Sequence, residues 1–268
     1  MTEKYNVICI KWGGYYKAKD VNNLCSMIKR NTNFDIDFYC FTEDATDLND
    51  DVIVKPLPEF QNVKAGEEEY ATRHAYRKEA GLCDDALGGL TGQRVFFFDL
   101  DSLIVGNLDE FFKYPQDEKF YIINDWHTNG DHVGQASCYS WVVGTLGFVK
   151  KYFEDHPKEV VDKFYTASQE YLSSKVIEKW GHLNFWPENW FKSFRFHCLP
   201  FPLFRYFASP KMPQVDGLKM IAFHGNPGLQ DAINGIWCSN PNDRKYPRGY
   251  KKLYKHVLPS KWILDYWK

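Results

Sequence analysis

The sequence predicts an α/β fold in which short apolar strands alternate with helices around a buried sheet. Two observations lead to this prediction: apolar stretches typical of strands are separated by stretches with helical spacing, and several of the predicted strands end in polar side chains. At 268 residues, with 44% of them hydrophobic, the chain is long enough to bury a sizeable core.

The start of the chain has the pattern of a βαβ unit. The predicted elements are a strand over residues 5–10, a helix over 20–30, and strands over 36–42 and 52–54. Asp20 is the expected N-cap of the helix. Gly13 and Gly14 follow the first strand and predict a loop whose backbone approaches another group closely.

The central stretch of the chain is residues 94–112, RVFFFDLDSLIVGNLDEFF. The apolar run over 95–98 predicts a buried strand, with Asp99 and Asp101 at its carboxyl end, where an open α/β sheet binds its ligand. Carboxylates at positions i and i+2 of an extended chain lie on the same side, so we expect both to face one divalent cation on a diphosphate. The alternative is that both cap the following turn.

Polar side chains follow two further predicted strands. Residues 120–123 lead to Asp125, and residues 220–223 lead to His224. Beside two aspartates, His224 is a third candidate ligand because imidazole suits Mn²⁺, although a lone histidine more often bonds the backbone. The polar residues 127–137 predict a surface loop that orders over a ligand.

A helix is predicted over residues 67–83, next to the central strand. Its Arg77 and Lys78 are placed to hold a phosphate or a sugar hydroxyl. The alternative is a solvated helix face, paired with the glutamates of residues 67–69.

Aromatic residues make up 18% of the chain and are concentrated over residues 181–207. These rings either form a small irregular core or provide a wall that stacks on an acceptor sugar. The preceding residues 157–180 predict a helix that carries Gln169 and Glu170. The tail, residues 244–268, mixes basic and aromatic residues and either wraps the domain or touches an anionic surface.

The composition excludes several classes of protein. A net charge of −2 offers no electrostatic footprint for nucleic acid. The sequence has no apolar run of about 20 residues, so it predicts no spanning helix, and we expect no secretory signal. The seven scattered cysteines predict buried free thiols, and with them a cytoplasmic protein, or one at the cytoplasmic face of a membrane.

Taken together, the motifs over about residues 5–232 resemble metal-dependent, family-8-like glycosyltransferases of the GT-A fold and related bacterial and viral polysaccharide enzymes. The segments that carry the resemblance are ICIKWGGYY, FYCFTED, RKEAGL, FFFDLDSLIVGNLDEFF and MIAFHGNPG. The DLD motif and the distant FHGNP are far more specific together than either is alone.

The resemblance implies a single GT-A domain over residues 1–232, with a mixed sheet flanked by helices. Its nucleotide-sugar-binding half would be residues 1–115 and its acceptor-binding half 116–232, followed by a basic and aromatic tail over 233–268. The implied activity is transfer of a sugar from a nucleotide-diphosphate donor, a UDP-sugar, to a glycan hydroxyl. Contact of the tail with a membrane surface is a further expectation.

The resemblance also implies a role for individual residues. Asp99, Asp101 and His224 would bind Mn²⁺ or Mg²⁺, with Asp99 also reaching the ribose and His224 the phosphate. The other implied donor-binding residues are Ile10, Lys11, Trp12, Tyr16 and Thr42 at the base and ribose, Arg77, Lys78 and Leu100, and Gly225 and Asn226 at the diphosphate.

The candidate catalytic residues are Asp125, Gln169 and Glu170. Retaining family-8 enzymes usually carry an acidic residue before this glutamine, whereas Ser168 stands before Gln169 in this chain. Retention and inversion of the anomeric centre therefore both stay open, and an inverting reaction would use Asp125 or Glu170 as the general base.

Three alternative functions compete with this interpretation. A phosphatase of the haloacid dehalogenase type also has a DxD motif after a strand, but the motif lies near the start of such chains and Leu103 replaces the usual threonine or valine. A nucleotidylyltransferase needs a glycine-rich, lysine-bearing opening loop, which IKWGGYYKAKD does not match. The third alternative is an inactive protein of the same fold that binds sugar nucleotides or glycans.

Overall fold

A computed structural model describes residues 3–61, 76–127, 133–164, 168–243 and 246–268. Within these ranges the strands are β1 Lys4–Lys11, β2 Asp35–Thr42, β3 Val52–Lys55, β4 Arg94–Phe98, β5 Ser102–Ile104, β6 Tyr121–Asn124, β7 Gly134–Val142, β8 Asn184–Phe185, β9 Phe191–Ser193 and β10 Met220–Ala222. The α-helices are α1 Ala18–Arg30, α2 Tyr76–Glu79, α3 Asp109–Lys113, α4 Gly147–Asp155, α5 Pro157–Lys163, α6 Ser168–Trp180 and α7 Leu229–Asn234.

The chain divides into two compact units, each built from three segments. The first unit comprises residues 1–21, 34–100 and 110–186, and the second comprises 22–33, 101–109 and 187–268. The predicted fold class, a mixed α/β sheet flanked by helices, is confirmed. The predicted halves over 1–115 and 116–232 and the tail over 233–268 stay predictions.

The first unit is organised around a seven-stranded sheet in the order β3-β2-β1-β4-β7-β6-β8. Strand β7 is antiparallel to both neighbours, and the other six strands run in one direction. The predicted βαβ unit is present, with β1 and β2 in parallel register. Because β2 lies on one side of β1 and β4 on the other, the strand order reverses at β1, which is where α/β sheets of this kind form a ligand crevice.

A large core covers one face of this sheet. It takes in side chains from the strands, from α2 and from helices α4 to α6, including the buried Phe97, Tyr139 and Trp141. The three rings pack in sequence, with Tyr139 4.7 Å from Phe97 and 5.1 Å from Trp141 between centroids. The apolar run at the end of β4 is buried because it lies in the middle of the sheet.

The second unit contains a small sheet in the order β5-β10-β9. Strand β10 is antiparallel to β5 and parallel to β9. All three strands are short, and β10 is fully buried between its neighbours. A separate small cluster packs Trp237, Cys238 and Val257 together.

Several sequence predictions need correction at the level of single elements. Helix α1 begins at Ala18, so Asp20 is not its N-cap; its carboxylate accepts the backbone N–H of Lys17 from within the first turn, at 2.7 Å. The helix predicted over 157–180 is two helices, α5 and α6, and residues 165–167 lie outside the described ranges. Of the helix predicted over 67–83, α2 covers only four residues, while residues 67–75 fall outside the description.

The predicted surface loop over residues 127–137 is wrong in its second half. Strand β7 begins at Gly134, and residues 134–137 are buried in the sheet. A side chain at Gly134 would come within 2.4 Å of Ile122, so a glycine lets β6 and β7 approach at this point. Residues 128–132 lie outside the described ranges.

The predicted buried thiols are confirmed, because all seven cysteines lie in the described ranges as free, buried side chains. None of the helices that the structure describes is long and apolar enough to cross a membrane.

Candidate functional site

In the first unit, four of the residues singled out from the sequence lie at one edge of the seven-stranded sheet. Lys11 and Thr42 end β1 and β2, where they are paired in register. Asp99 follows β4 and Asp125 follows β6, and these strands run in the same direction as β1 and β2. The carboxyl ends of the parallel strands therefore place all four at the edge where α/β sheets bind ligands.

Asp99 is held by a short ion pair. The Lys78 ammonium lies 2.8 Å from Asp99 Oδ2 and 3.4 Å from Glu79 Oε1, and all three side chains are at least 80% buried. Two contacts with β7 fix the backbone, since Tyr139 donates its hydroxyl to Lys78 O and Asp99 N donates to Ser137 O. Lys78 therefore lies beside the end of the central strand, and the prediction that Arg77 and Lys78 hold a phosphate or a sugar hydroxyl stays a prediction.

Glu79 is a member of this cluster that the sequence analysis did not assign. Its side chain is almost completely buried, and burial raises the pKa of its carboxyl, which the Lys78 ammonium lowers and Asp99 raises in turn. The sequence feature that could have identified Glu79 is its position directly after Lys78 in RKEAGL. Sequence spacing alone assigns a glutamate in this place to a solvated helix face.

The aspartates of the DLD motif do not share a strand. Strand β4 ends at Phe98, and Leu100 and Asp101 form a turn before β5 begins at Ser102. The argument from strand alternation for Asp99 and Asp101 is therefore wrong. Asp99 Oδ1 accepts the backbone N–H of Leu100 at 3.2 Å, whereas a capping aspartate would accept an N–H two or three residues further on.

Asp125 and Gln169 are brought together from β6 and α6. The Gln169 amide donates to Asp125 Oδ2 at 3.3 Å, and the N–H of Ala136 in β7 donates to Gln169 Oε1 at the same distance. Asp125 is buried, whereas Glu170 on the next position of the helix is exposed to solvent. Of the three candidate catalytic residues, Asp125 and Gln169 thus form a contact, and Glu170 is exposed to solvent.

The loops after β1 and β2 are tied together. Lys11 is buried and donates to the backbone oxygen of Asp44 at 2.9 Å, and Thr42 bonds the same carbonyl through its hydroxyl. Gly13, at a φ of 61°, donates its N–H to Glu43 Oε1. These bonds order the loop predicted to contact a nucleotide base and ribose.

The remaining predicted donor-binding residues of the first unit lie on or near the same strand ends. Ile10 and Leu100 are buried, and Trp12, Tyr16 and Arg77 are partly exposed. Ile10 belongs to the apolar core and Trp12 packs against it, so Trp12 offers the aromatic surface at the end of β1.

In the second unit, strand pairing brings Asp101 and His224 to the same end of the small sheet. Ala222 in β10 is paired with Ser102 in the antiparallel strand β5. Asp101 directly precedes Ser102 and His224 comes two residues after Ala222, so the two motifs lie at the same end of the small sheet although they are far apart in the sequence.

His224 is positioned by a residue that the sequence analysis missed. Ser193 is fully buried at the end of β9, and its hydroxyl lies 2.7 Å from His224 Nε2. The hydroxyl also accepts the N–H of Phe196, and the Phe196 ring stacks on His224 with 5.7 Å between centroids. The imidazole tautomer decides which of Ser193 and His224 donates in their own hydrogen bond. No local pattern in the sequence marks Ser193.

The glycine-bearing segment after β10 also carries a buried polar group. Gly225 adopts a φ of 74°, a conformation that suits glycine. The side-chain nitrogen of Asn226 is buried, with no hydrogen-bond partner in the described part of the chain. It is a donor available to an anionic ligand at this end of β10.

Within the described ranges, no group of three or more His, Cys, Asp or Glu side chains is close enough to hold a metal ion. The types of donor that the sequence singled out do fit a hard cation, since Asp99 and Asp101 offer carboxylate oxygens and His224 an imidazole. Oδ1 of Asp101 is buried.

A surface cavity of about 560 Å³ in the first unit lies away from these strand ends. It is lined by Glu118, Lys119, Thr145, Trp180, His182 and Asn184. These residues precede β6, precede or begin β8, or follow the antiparallel β7, so the cavity opens at the opposite edge of the sheet from Asp99 and Asp125.

Comparison with known proteins identifies the fold. No family model matches the chain, and no curated protein matches it. The galactosyltransferase LgtC, solved in complex with donor and acceptor sugar analogues, is similar in structure, with a TM-score of 0.55 and 10% identity over 96% of this chain and 98% of LgtC.

Two further solved structures are similar over part of their length. The bifunctional glycosyltransferase WbbM, in its apo form, has a TM-score of 0.45 and 14% identity over 71% of this chain. The apo form of the glycosyltransferase GlyE from Streptococcus pneumoniae TIGR4 has a TM-score of 0.43 and 10% identity over 70% of it. The chain spans 40% of WbbM and 46% of GlyE. Because its structure is similar to that of LgtC over nearly the whole chain, the chain has a GT-A-like glycosyltransferase fold.

Proposed function

We propose that this protein transfers a sugar from a UDP-sugar to a hydroxyl group of a glycan acceptor, with the help of Mn²⁺ or Mg²⁺. The observation that carries the proposal is the pairing of β5 with β10, which brings Asp101 and His224 to one end of the small sheet. These residues belong to the two motifs that the sequence singled out independently. The likeness of the fold to that of LgtC supports the same class of reaction.

Asp99 as a ligand stays a prediction from the sequence. In the second unit, the metal ion would be held by Asp101 and His224. When bound, it supplies a Lewis acid for the diphosphate, whose negative charge grows as the bond to the sugar breaks. Ser193 would accept the Nε2–H of His224, which keeps the ring in place and makes Nδ1 the nitrogen that binds the metal ion. Such support from a second residue is a general feature of histidines that bind metals.

The nucleotide would bind at the carboxyl ends of β1 and β4, where the strand order of the large sheet reverses. The ordered loop after β1 offers Trp12 and Tyr16 to the base, and Lys11 and Thr42 maintain that loop. Lys78 would place its positive charge beside the diphosphate or the donor sugar. Asn226 would donate its buried amide N–H to a phosphate oxygen.

Asp125 is the carboxylate that we propose to contact the donor sugar or the acceptor hydroxyl. Its orientation is controlled by Gln169, which donates to Oδ2. Glu170 is exposed, and the structure offers less support for it in this role. A buried, oriented carboxylate at a strand end is suited to accept a hydrogen bond from a sugar hydroxyl.

Calorimetry with UDP and a panel of nucleotide-sugar hydrolysis assays test the proposal. We expect UDP to bind in the presence of Mn²⁺ and one UDP-sugar to be hydrolysed slowly. Asp101→Asn should reduce hydrolysis about 100-fold or more and abolish the effect of Mn²⁺ on UDP binding, since it removes a charged ligand. Asp216→Asn, an exposed aspartate of the same unit, is the matched control and should behave as the wild type.

Other results of these assays would contradict or change the proposal. Full activity of Asp101→Asn would remove the central claim. UDP binding that depends on Mn²⁺, without hydrolysis or transfer to any acceptor, would favour an inactive sugar-nucleotide-binding protein. No binding of any nucleotide would exclude both functions.

A further inference from the structure

The cavity of about 560 Å³ in the first unit takes no part in the proposed reaction. It opens at the edge of the large sheet opposite to Asp99 and Asp125. Its volume falls in the range of about 300–1,000 Å³ that is usual for small-molecule sites. The side chains that line the cavity indicate which kind of ligand fits it.

The aromatic wall of the cavity is Trp180, the last residue of α6. Gly181 follows at a φ of 82° and donates its N–H to Ile177 O at 2.7 Å, so the helix ends here. The Trp180 ring packs edge to face with Phe148 of α4, with 5.7 Å between centroids, and both rings lie against the apolar core. Trp180 is thus held in place but only partly buried, and it offers aromatic surface to a ligand.

Polar side chains around this ring keep hydrogen-bonding capacity. Glu118 and His182 are exposed, and neither has a hydrogen-bond partner within the described ranges. The amide nitrogen of Asn184 donates to Phe120 O at 3.1 Å, which leaves its Oδ1 as an acceptor. A carboxylate and an amide oxygen accept hydrogen bonds, and an imidazole can accept or donate. The set therefore suits a ligand that carries hydroxyl groups.

The frame of the cavity is formed without a ligand. Arg94, at the start of β4, donates to the backbone oxygens of Asp117 and Lys119, the latter at 3.1 Å, and so ties down the loop before β6. Asn184 belongs to β8, which pairs with β6. Because these groups are already fixed, little ordering is needed when a ligand binds.

The charges at the cavity balance each other. Lys119 is the only lysine or arginine among the described residues that line it; it lies next to Glu118 and pairs with Asp117 Oδ2 at 2.8 Å. A phosphate-bearing ligand would need cations that are not already paired. A fatty acyl chain would need an apolar wall, whereas five of the six lining residues are polar. A neutral sugar ring, with hydroxyl groups and an apolar face, matches both the ring and the polar side chains.

We propose that this cavity binds a neutral oligosaccharide, with one sugar ring stacked on Trp180 and hydroxyl groups bonded to Glu118, His182 and Asn184. The proposal goes beyond the transfer reaction and does not rest on it. The nine residues of β7 run from one edge of the sheet to the other, about 30 Å, so a short acceptor at the edge near Asp125 does not reach this cavity.

Titration of the full chain with sugars, without nucleotide or Mn²⁺, tests the proposal. The probes are lactose, maltotriose, cellotriose and triacetylchitotriose, which are neutral and differ in linkage and substituents. We expect at least one to bind with a Kd of about 1 mM by calorimetry, because a surface cavity leaves part of a sugar in water. Sorbitol has the hydroxyl groups but no ring to stack, and it should not bind measurably.

Two variants change the cavity in different ways. Trp180→Leu keeps apolar contact with Phe148 but removes the stacking surface, and it should weaken binding about tenfold. The combination of Glu118→Ala and His182→Ala removes two hydrogen-bonding groups and should also weaken binding about tenfold. Both of these positions are exposed, so thermal unfolding of the double variant should be nearly unchanged.

A control variant and a spectroscopic measurement locate the bound sugar. The control combines His156→Ala and Glu159→Ala, an exposed histidine and glutamate of the same unit that do not line the cavity, and it should bind as the wild type does. In NMR spectra of the nitrogen-15-labelled chain, the indole N–H signal that is absent from Trp180→Leu should shift as the sugar is added.

Several results would overturn the proposal. One is that none of the four sugars binds at about 20 mM, well above the expected Kd. Binding that both cavity variants retain, or that the control loses equally, would place the sugar elsewhere, and equal binding of sorbitol would exclude recognition of a ring. Sugar binding that appears only with UDP and Mn²⁺ would assign the sugar to the transfer site. Failure of UDP to bind would contradict the proposed function alone.

Discussion

The ion pair between Lys78 and Asp99 gives a direct test of how charge is balanced at the end of β4. Lys78 is the only cation within 4 Å of either Asp99 or Glu79 in the described part of the chain. We consider Lys78→Met, which keeps the length of the side chain and removes its charge. Both carboxylates then lose their partner in a site that is largely closed to water.

The size of the effect follows from burial. Removing one partner of a buried ion pair costs about 3–5 kcal/mol, because the other charge is left without compensation. Lys78 and Asp99 keep 14% and 20% of their side-chain exposure, so screening lowers the cost to about 2–3 kcal/mol. For a chain of this size the melting temperature should fall by about 4–10 °C.

The direction of the pH dependence is also set by Glu79. Burial raises the pKa of this carboxyl, and Lys78 lowers it, so the variant raises the pKa further. A carboxyl whose folded pKa is raised destabilises the folded state once the pH exceeds the unfolded pKa, and the loss is complete above the folded pKa. The penalty of Lys78→Met should therefore be larger at pH 8 than at pH 5.

Thermal unfolding followed by circular dichroism measures both effects. The matched control is Lys151→Met, whose ammonium is 75% exposed and lies 3.4 Å from Asp155; it should change the melting temperature by less than about 2 °C. Adding Glu79→Gln to Lys78→Met should recover part of the lost stability, because it removes a buried charge. A melting temperature of Lys78→Met within about 2 °C of the wild type at pH 8 would refute the reasoning, as would a larger loss at pH 5.

Two other predictions concern the second unit. Ser193→Ala removes the hydroxyl 2.7 Å from His224 and should weaken Mn²⁺-dependent UDP binding about tenfold. Binding of UDP without Mn²⁺ should be unchanged. If calorimetry gave the variant and the wild type equal affinities for UDP with Mn²⁺, the role proposed for Ser193 would be contradicted. Burial raises the pKa of Asp109, but hydrogen bonds from Thr32 and Asn33 outweigh burial and bring the pKa to about 2. Asp109 therefore stabilises the fold above pH 4, and this stabilisation is lost as the pH falls toward 2. Denaturant unfolding should show Asp109→Asn about 1–2 kcal/mol less stable than the wild type at pH 7 and nearly equal at pH 2, whereas a difference that is constant with pH would rule out this linkage.

Much of the fold could be predicted from local patterns. The strands β1, β2 and β4 lie within one residue of their predicted bounds at each end, because their apolar residues are consecutive or alternate and the segments are short. The parallel pairing of β1 with β2 follows from the connecting helix α1. Breaks within helices were missed, since helical spacing continues across the junction between α5 and α6.

The candidate site was predictable only in its most specific residues. Lys78, singled out as a contact for phosphate or a sugar hydroxyl, lies at the end of the central strand and contacts Asp99, while its contact with a ligand stays a prediction. The extended strand assumed for Asp99 and Asp101 is replaced by a turn, so the argument from strand alternation failed, and their binding of one cation stays a prediction. Glu79 and Ser193 were missed because burial depends on neighbours that are remote in the sequence.

The sequence by itself determined the α/β class, the burial of the cysteines and the polar ends of the strands, because these depend on the order of apolar and polar residues over a few positions. Only the tertiary structure decided that Asp101 and His224 lie at the same end of the small sheet, since this depends on the register Ala222 to Ser102 between strands that are distant in the chain. It also decided that Ser193 supports His224 and that Glu79 is buried beside Lys78. The physical reason is that periodicity is a local property, whereas register and burial arise from contacts between segments that local periodicity does not encode.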